Sequence, residues 1–558
     1  MAHPALIVLG VLVLGALLLL LPRFFSRTKD TLQVVRGLRT LRSARHVDMA
    51  LIAAYHNRFL AEPGTEPLDD RTWRDLDFDE VFLSVDYTAS EPGRQYLYHC
   101  LRSPHFSVDP LARLDRAARS LVADDATATR ARVALSELSD PRAAQLEGLL
   151  FGELPRRPRF WWLFPILTAS AVTCLALIAI WPQAALVWLG ICVVNVGVQV
   201  LYKPRVKRFI PALHELPAFL RVSRTLGALP LAELADESRV LREGAKSFGP
   251  LRMATRWLMF EPEQANELAS SLYEYANLLF LLDVNAFVFA TETLRNARET
   301  ARGMFAAIGY IDVVLSVAAW RRTLPQWTTP EFTPARKALH VETVSHPLIA
   351  GAVTNSLDVD GASVLITGSN MSGKTTFVRT LGVNAVLAQT LNTVCASQWR
   401  GPMLRVRTSI QRSDSLIAGK SYYLSEVESV LTLVRAKENG NQHLFLLDEI
   451  FRGTNTTERV AAAYAVLAYL NTGLDVAVAA THDIELLELL RGTYAMHHFR
   501  EQVADDGLSF DYLIRPGASS TRNAIALLKV MEYPESLVAD ALATVEWQRN
   551  RGHQSEGQ

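Results

Sequence analysis

Val364-Leu365-Ile366-Thr367-Gly368-Ser369-Asn370-Met371-Ser372-Gly373-Lys374-Thr375 is the stretch that decides the fold. Its last eight residues fit G-x-x-x-x-G-K-[ST]. The apolar run before them is of strand type, and Thr376–Ala388 after them can be helical. Strand, glycine-rich turn and helix in that order make a phosphate-binding loop. The glycines permit a tight turn in which several N–H groups converge on one anion. The helix adds the positive end of its dipole. Gly368, Ser369, Asn370, Met371, Ser372, Gly373, Lys374, Thr375 and Thr376 are therefore the candidate nucleotide-binding residues. In such a loop the lysine reaches the β- and γ-phosphates and the hydroxyl after it holds Mg²⁺, so ATP and Mg²⁺ are the expected cofactors.

Leu444-Phe445-Leu446-Leu447-Asp448-Glu449 is a buried-strand pattern ending in two carboxylates. Asp448, with Thr375, is the candidate Mg²⁺ ligand. Glu449 is the candidate catalytic residue that polarises the attacking water, because in-line phosphoryl transfer needs an oriented nucleophile. Val476–Ala480 leads to Thr481-His482-Asp483. A histidine at the end of a neighbouring strand can contact the γ-phosphate or its water, which makes His482 the second catalytic candidate. A capping histidine at a strand–helix turn is the plainer alternative. Short β-type runs at Ser363–Thr367, His443–Leu447 and Asp475–Ala480 alternate with helical stretches. That alternation predicts an α/β P-loop NTPase domain with a parallel, doubly wound sheet.

The chain has 558 residues, enough for several domains, and Lys+Arg and Asp+Glu both total 57, so net charge names no partner. Cys100, Cys174, Cys192 and Cys395 are scattered without metal-type spacing, which argues against a disulfide framework or a zinc site. Hydropathy is uneven. Ala5–Leu21 is almost wholly apolar and spans roughly 26 Å as a helix. Arg23, Arg27 and Lys29 follow it. Charge after the apolar run, with Pro-Arg-Phe-Phe at its end, favours a retained anchor over a cleaved signal peptide. Phe160–Trp181 and Ala184–Tyr202 carry no Asp, Glu, Lys or Arg and predict a transmembrane hairpin. Arg156, Arg157 and Arg159 precede it; Lys203, Arg205, Lys207 and Arg208 follow it. Both basic flanks point to the cytoplasmic side. The expectation is a multi-pass protein of the cell (inner or plasma) membrane with a cytoplasmic ATPase domain.

Leu111–Leu121 and Ala131–Leu138 have helical patterns, and residues 209–325 are largely helical in pattern too. Leu272, Leu278, Leu279, Leu282 and Phe287 make a stripe that ordinary helix packing explains. Leu324-Pro325, Thr329-Pro330 and Thr333-Pro334 mark a linker. The tail Arg549–Gln558 is polar and expected to be disordered.

Together these motifs resemble the MutS family of DNA mismatch-repair ATPases. Thr367–Thr375 matches that family's phosphate loop, with Ser369 where proline is usual. Asp448-Glu449-Ile450-Phe451-Arg452-Gly453-Thr454-Asn455-Thr456 is similar to its Asp-Glu-x-x-Arg-Gly-Thr-Ser/Asn-Thr segment, and Ala480-Thr481-His482 to its Ala-Thr-His switch. Leu416–Tyr423 resembles the signature loop that reaches the partner subunit's ATP, so Gly419 and Ser421 are implied trans contacts and a homodimer is the implied working unit. Asp86-Tyr87-Thr88 with Gly93-Arg94-Gln95-Tyr96-Leu97 is similar to the start of the family's core domain. Ile308-Gly309-Tyr310-Ile311-Asp312 resembles the end of its lever helices, and His346-Pro347-Leu348 the approach to its ATPase domain. Asn523–Val530 and Tyr533-Pro534 look like its dimerising helix-turn-helix. The transporters' Leu-Ser-Gly-Gly-Gln signature is absent. Phe78-Asp79-Glu80 fits the mismatch-reading Phe-x-Glu wedge by composition only, there is no room for the wedge's domain before residue 80, and no clamp insertion is evident between 240 and 300.

The implied organisation is an N-terminal anchor (1–22), a cytoplasmic core-like helical segment (23–159) and a transmembrane hairpin (160–202). A helical lever region (203–334) and a MutS/ABC-type ATPase domain with its helix-turn-helix (335–548) follow, and then the tail (549–558). The fold class is thus an α/β ATPase preceded by an all-α core and lever region with transmembrane helices. The implied function is ATP binding and hydrolysis in a dimer that drives lever movement, with DNA binding and mismatch or damage sensing. The alternative is an ATP-switched membrane scaffold acting on a protein partner or on the bilayer without DNA. Residues 203–256 hold eleven Lys and Arg against five Asp and Glu. Lys203–Arg208 suit anionic lipid, whereas Arg221, Arg224, Arg239, Arg242, Lys246, Arg252 and Arg256 are open to nucleic acid or to plain solvation.

Overall fold

The computed structural model describes residues 48–59, 66–154, 158–207, 209–248, 267–369, 372–410, 422–451, 454–504, 507–518 and 533–544. The N-terminal apolar run, the Asn523–Val530 stretch and the tail lie outside them. The chain divides into two compact units: residues up to 65 with 85–100 and 115–320, and residues 66–84 and 101–114 with 321 onward.

The second unit is built on two sheets. Its strands are β1 (Glu331–Phe332), β2 (Ala338–Val344), β3 (Asn355–Asp360), β4 (Ser363–Thr367) and β5 (Gln398–Gly401). They continue as β6 (Arg405–Ser409), β7 (His443–Asp448), β8 (Val476–Ala480), β9 (Tyr494–Ala504) and β10 (Gly507–Pro516). The larger sheet has the order β10-β9-β4-β8-β7-β6. Strands β9, β4, β8, β7 and β6 are mutually parallel. Ser363–Thr367 and Val476–Ala480 are buried along their whole length, as an apolar strand covered by helices on both faces must be.

The all-parallel expectation needs two corrections. β10 is an antiparallel edge, because a short connection from β9 allows only a hairpin. A second, mixed sheet of order β1-β5-β2-β3 lies beside the first; its alternating pattern, as in β3, leaves one face half exposed. The stretch 66–84 also belongs to this unit. Asp75 on helix Asp70–Asp75 accepts from Thr408 Oγ1 at 2.7 Å and from the Ile410 N–H at 2.9 Å, holding the end of edge strand β6. Phe78 is fully buried and tilted against Trp73 at 5.0 Å, so it is a core side chain and not an exposed wedge.

The first unit is helical. Helix Arg298–Arg321 runs through its core with Ala301, Met304, Phe305, Ile308, Ile311 and Leu315 buried, the spacing of a helix enclosed by neighbours. Asp312, also on this helix, is fully buried. Its carboxylate accepts from the N–H groups of Ala89 and Ser90 and from Ser90 Oγ, at 2.6–3.1 Å. These donors precede helix Glu91–Arg102, so a carboxylate from a distant helix caps its N-terminus. The approach is close: a Cβ on Gly93 would fall 2.0 Å from Asp312 Oδ2, and one on Gly309 would fall 2.5 Å from the Tyr96 side chain. Buried Arg94 completes the cluster with an ion pair to Asp86 at 2.8 Å. The two upstream stretches that resemble MutS core segments therefore meet in space.

Helices Leu163–Leu177 and Ala184–Lys207 form the apolar hairpin, the first being shorter than the apolar run that contains it. Ala184–Tyr202 is long and apolar enough to cross a membrane, and only 17% of that window is buried. Arg298–Arg321 passes the same test of length and composition but is 78% buried, as befits a core helix. The stripe Leu272–Phe287 is not one continuous helix: it breaks at Leu281, between helices Glu267–Phe280 and Leu282–Asn296.

Candidate active site

The register of the parallel strands brings the three motifs together. Ile366 pairs with Ala480, and Ala480 with Asp448, so β4, β8 and β7 end at one level. The Thr481 N–H donates to Ile366 O at 3.0 Å and the Glu449 N–H to Ala480 O at 2.9 Å, extending the pairing past the strands. The phosphate loop, the two carboxylates and His482 all emerge here, at the carboxyl ends where ligand crevices form in α/β sheets.

Gly368 and Gly373 have φ of +136° and +104°, and a Cβ on Gly368 would meet Phe499 O at 2.8 Å. Lys374 is 1% exposed. Its Nζ donates to Gly368 O at 2.5 Å and Ser369 O at 2.7 Å, since a buried ammonium needs acceptors. The same Nζ lies 3.2 Å from His482 Nε2, which lies 2.8 Å from Glu449 Oε1. One ring nitrogen thus stands between a cation and an anion. Protonated, it donates to Glu449; bare, it accepts from Lys374.

Glu449 has φ of 51° and Phe451 of 65°. Left-handed backbone at non-glycine residues costs about 1–3 kcal/mol each and gathers at functional sites. Arg459 grips Asp483 with two nitrogens at 2.6 and 3.1 Å, fixing the turn that carries His482.

Asp448 Oδ2 accepts from Thr375 Oγ1 at 2.6 Å, while its Oδ1 is buried with no hydrogen-bond partner among the described residues. Buried carboxylate oxygens are normally satisfied. An orphaned one beside a threonine hydroxyl fits a Mg²⁺ site completed by phosphate and water oxygens.

A cavity of about 380 Å³ opens beside Gly373 and Thr375, lined by His346, Ile349, Thr376, Phe377, Phe499 and Tyr512 among others. Its size suits a nucleoside. Tyr512 has φ of 55° and sits where β10 shifts register between Phe510 and Ile514. Asn355 holds that bulge, donating from Nδ2 to Tyr512 O at 3.0 Å and accepting the Ile514 N–H at 2.8 Å. His346 is held neutral: burial first, and the nearby Arg379 second, push its pKa down to about 4. Sequence reasoning missed Phe499 and Tyr512, which no local motif marks, and took His346 only as a domain boundary. Asn370, Met371, Gly419 and Ser421 lie outside the described residues.

Residues 364–547 match the sequence profile of MutS domain V. Over this stretch the chain is similar to the MutS family. The DNA mismatch repair protein MutS 2 of Halobacterium salinarum is 31% identical over 267 residues, which are 46% of this chain and 30% of that protein. The DNA mismatch repair protein MutS of Thermus thermophilus is 29% identical over 286 residues, 50% of this chain and 34% of its own length. That of Aquifex pyrophilus is 28% identical over 244 residues, 42% and 28% of the two chains. The chain thus spans about a third of the length of these MutS relatives. The MutS profile contains every residue of the Lys374–His482–Glu449 constellation.

Proposed function

We propose that this protein is a membrane-anchored MutS-type ATPase in which a dimer binds and hydrolyses ATP to move its helical levers. The carrying observation is the contact chain Lys374–His482–Glu449 beside the Thr375–Asp448 pair. Lys374 and the loop amides bind the triphosphate. Thr375 and Asp448 would hold Mg²⁺, which would supply charge neutralisation on the triphosphate when bound. Glu449 orients the attacking water and takes its proton. His482 passes the change at Glu449 to Lys374 by exchanging hydrogen-bond partners. Gly419 and Ser421 reach the partner's nucleotide, as the signature resemblance implies. Exposed apolar residues on the hairpin, including Ile180, Leu186 and Leu201, support its insertion in a bilayer, and its basic flanks support a cytoplasmic ATPase in a multi-pass cell-membrane protein.

DNA is the partner this reading favours, since the similar proteins are named as DNA mismatch repair proteins. Two of the open arginines are engaged in ion pairs, Arg221 with Glu137 and Arg239 with Asp236; such exposed pairs contribute little and yield readily to phosphate. The second reading, an ATP-switched scaffold for a protein or the bilayer, is favoured by that same exposed hairpin surface. ATP turnover by the full chain, measured alone and with perfect duplex, mismatched and branched DNA, decides between them. Stimulation with salt-sensitive binding supports the DNA reading; turnover indifferent to every DNA overturns it in favour of the scaffold.

A further inference from the structure

The hairpin packs against the broken helix Glu267–Phe280 and Leu282–Asn296. At Leu281, whose φ is 53°, the axis turns by 68°. The Asp283 N–H, which an unbroken helix would give to Leu279 O, goes to Asn277 Oδ1 at 2.9 Å. The freed carbonyls are met by the hairpin. Asn195 Nδ2 donates to Leu279 O at 2.5 Å and Thr168 Oγ1 to Phe280 O at 2.7 Å. Asn285 Nδ2 donates in turn to Thr168 Oγ1 at 2.9 Å. Asn195 is fully buried.

Thr168 lies seven residues beyond Trp161, and Asn195 seven before Tyr202. These rings sit at the basic ends of the hairpin, so the two polar contacts lie roughly 10 Å along each helix from the aromatic level. Tyr275-Ala276-Asn277-Leu278-Leu279-Phe280-Leu281-Leu282 carries no charge and is bounded by Glu274 and Asp283. Tyr275 is 66% exposed. Within hydrocarbon every backbone polar group has to be satisfied by protein, and a helix break survives only when neighbouring side chains meet its carbonyls. Water would serve that purpose in a soluble elbow.

We infer that the elbow at Leu281 is a third membrane-inserted element that enters the hydrocarbon boundary beside the hairpin, with lipid covering the face that carries Tyr275. This rests on the hairpin's being membrane-embedded. The hydrogen bonds from Thr168 and Asn195 then key the membrane segment directly to the helical region that follows it in the chain.

The test uses the full chain in phosphatidylcholine–phosphatidylglycerol vesicles with the photo-crosslinker p-benzoylphenylalanine at one exposed position at a time. Leu186 reports the hairpin, Tyr275 the elbow, and Tyr464 of the ATPase unit the background. Lipid adducts at 186 and 275 in comparable yield, with 464 at background, are expected. Adducts at 186 with background yield at 275 overturn the inference and leave the hairpin reading standing. Background yield at both 186 and 275 overturns both.

Discussion

In the α/β unit, the groups that meet at Lys374 come from three stretches that are each contiguous in sequence. In the helical unit, the groups that meet at Asp312 come from positions as far as 223 residues away. The first constellation is assembled by strand register: once β4, β8 and β7 align, their carboxyl ends deliver the motifs without further specification. The second is assembled by steric permission, because Gly93 and Gly309 let two helices approach until a carboxylate reaches an N-terminus. One arrangement stores strain and leaves Asp448 Oδ1 buried with no partner among the described residues; in the other the Asp312 carboxylate accepts from the donors of Ala89 and Ser90. Function and stability are thus divided between the units, and substitutions should separate them.

The largest effect is expected at Glu449. Glu449→Gln should lower steady-state ATP turnover by about 1,000-fold while nucleotide still binds; turnover within a few-fold of the parent would remove Glu449 from the reaction. In the helical unit, Asp312→Ala strands the donors of Ala89 and Ser90 and should cost about 3 kcal/mol in denaturant unfolding. An unchanged midpoint would show that the cap contributes nothing. Lys374→Ala should weaken ATP affinity by about 100-fold in calorimetric titration without lowering thermal stability to match. Equal affinity in parent and variant would count against the phosphate loop.

Acid separates the units more gently. His346 has a folded pKa of about 4, below the usual value near 6.5 for an unfolded histidine. The unfolded chain binds its proton first, so this group's contribution is fully present above pH 6.5 and is lost as pH falls from there to 4. The loss is at most about 3 kcal/mol. His346→Gln should flatten the stability profile across that window; a profile of unchanged slope would refute the assignment. The smallest effect is Tyr512→Ala, which should weaken ATP binding about five-fold by removing an aromatic wall of the cavity. An unaltered affinity would place the base elsewhere.

What was legible in sequence follows the same division. The phosphate loop, the Asp448-Glu449 pair and His482 could be read because each is bound to a strand end by short-range pattern. The antiparallel β10, the second sheet and the Tyr512 bulge could not. They depend on a register shift and on Asn355, more than 150 positions from its acceptor, and no period of two or 3.6 residues announces them. The stripe from Leu272 to Phe287 packs as helix, as its spacing implies, but on two helices rather than one. Its apolar spacing does not show the break at Leu281, which hydrogen bonds with Thr168, Asn195 and Asn277 stabilise. Phe78 fitted a wedge by composition, yet burial against Trp73 decides its role. The resemblances around Asp86–Leu97 and Ile308–Asp312 were legible as separate stretches, and packing supplied their connection.

In the proposed function a triphosphate is held at the carboxyl end of β4. Photolabelling of the full chain with 8-azido-ATP and Mg²⁺, followed by peptide mapping, tests it most directly. Saturable labelling is expected on peptides lining the cavity beside Gly373, those carrying His346, Phe377 or Tyr512, displaced by unlabelled ATP and abolished by Lys374→Ala. Saturable labelling confined to peptides away from this cavity, or persisting undiminished in Lys374→Ala, would contradict it.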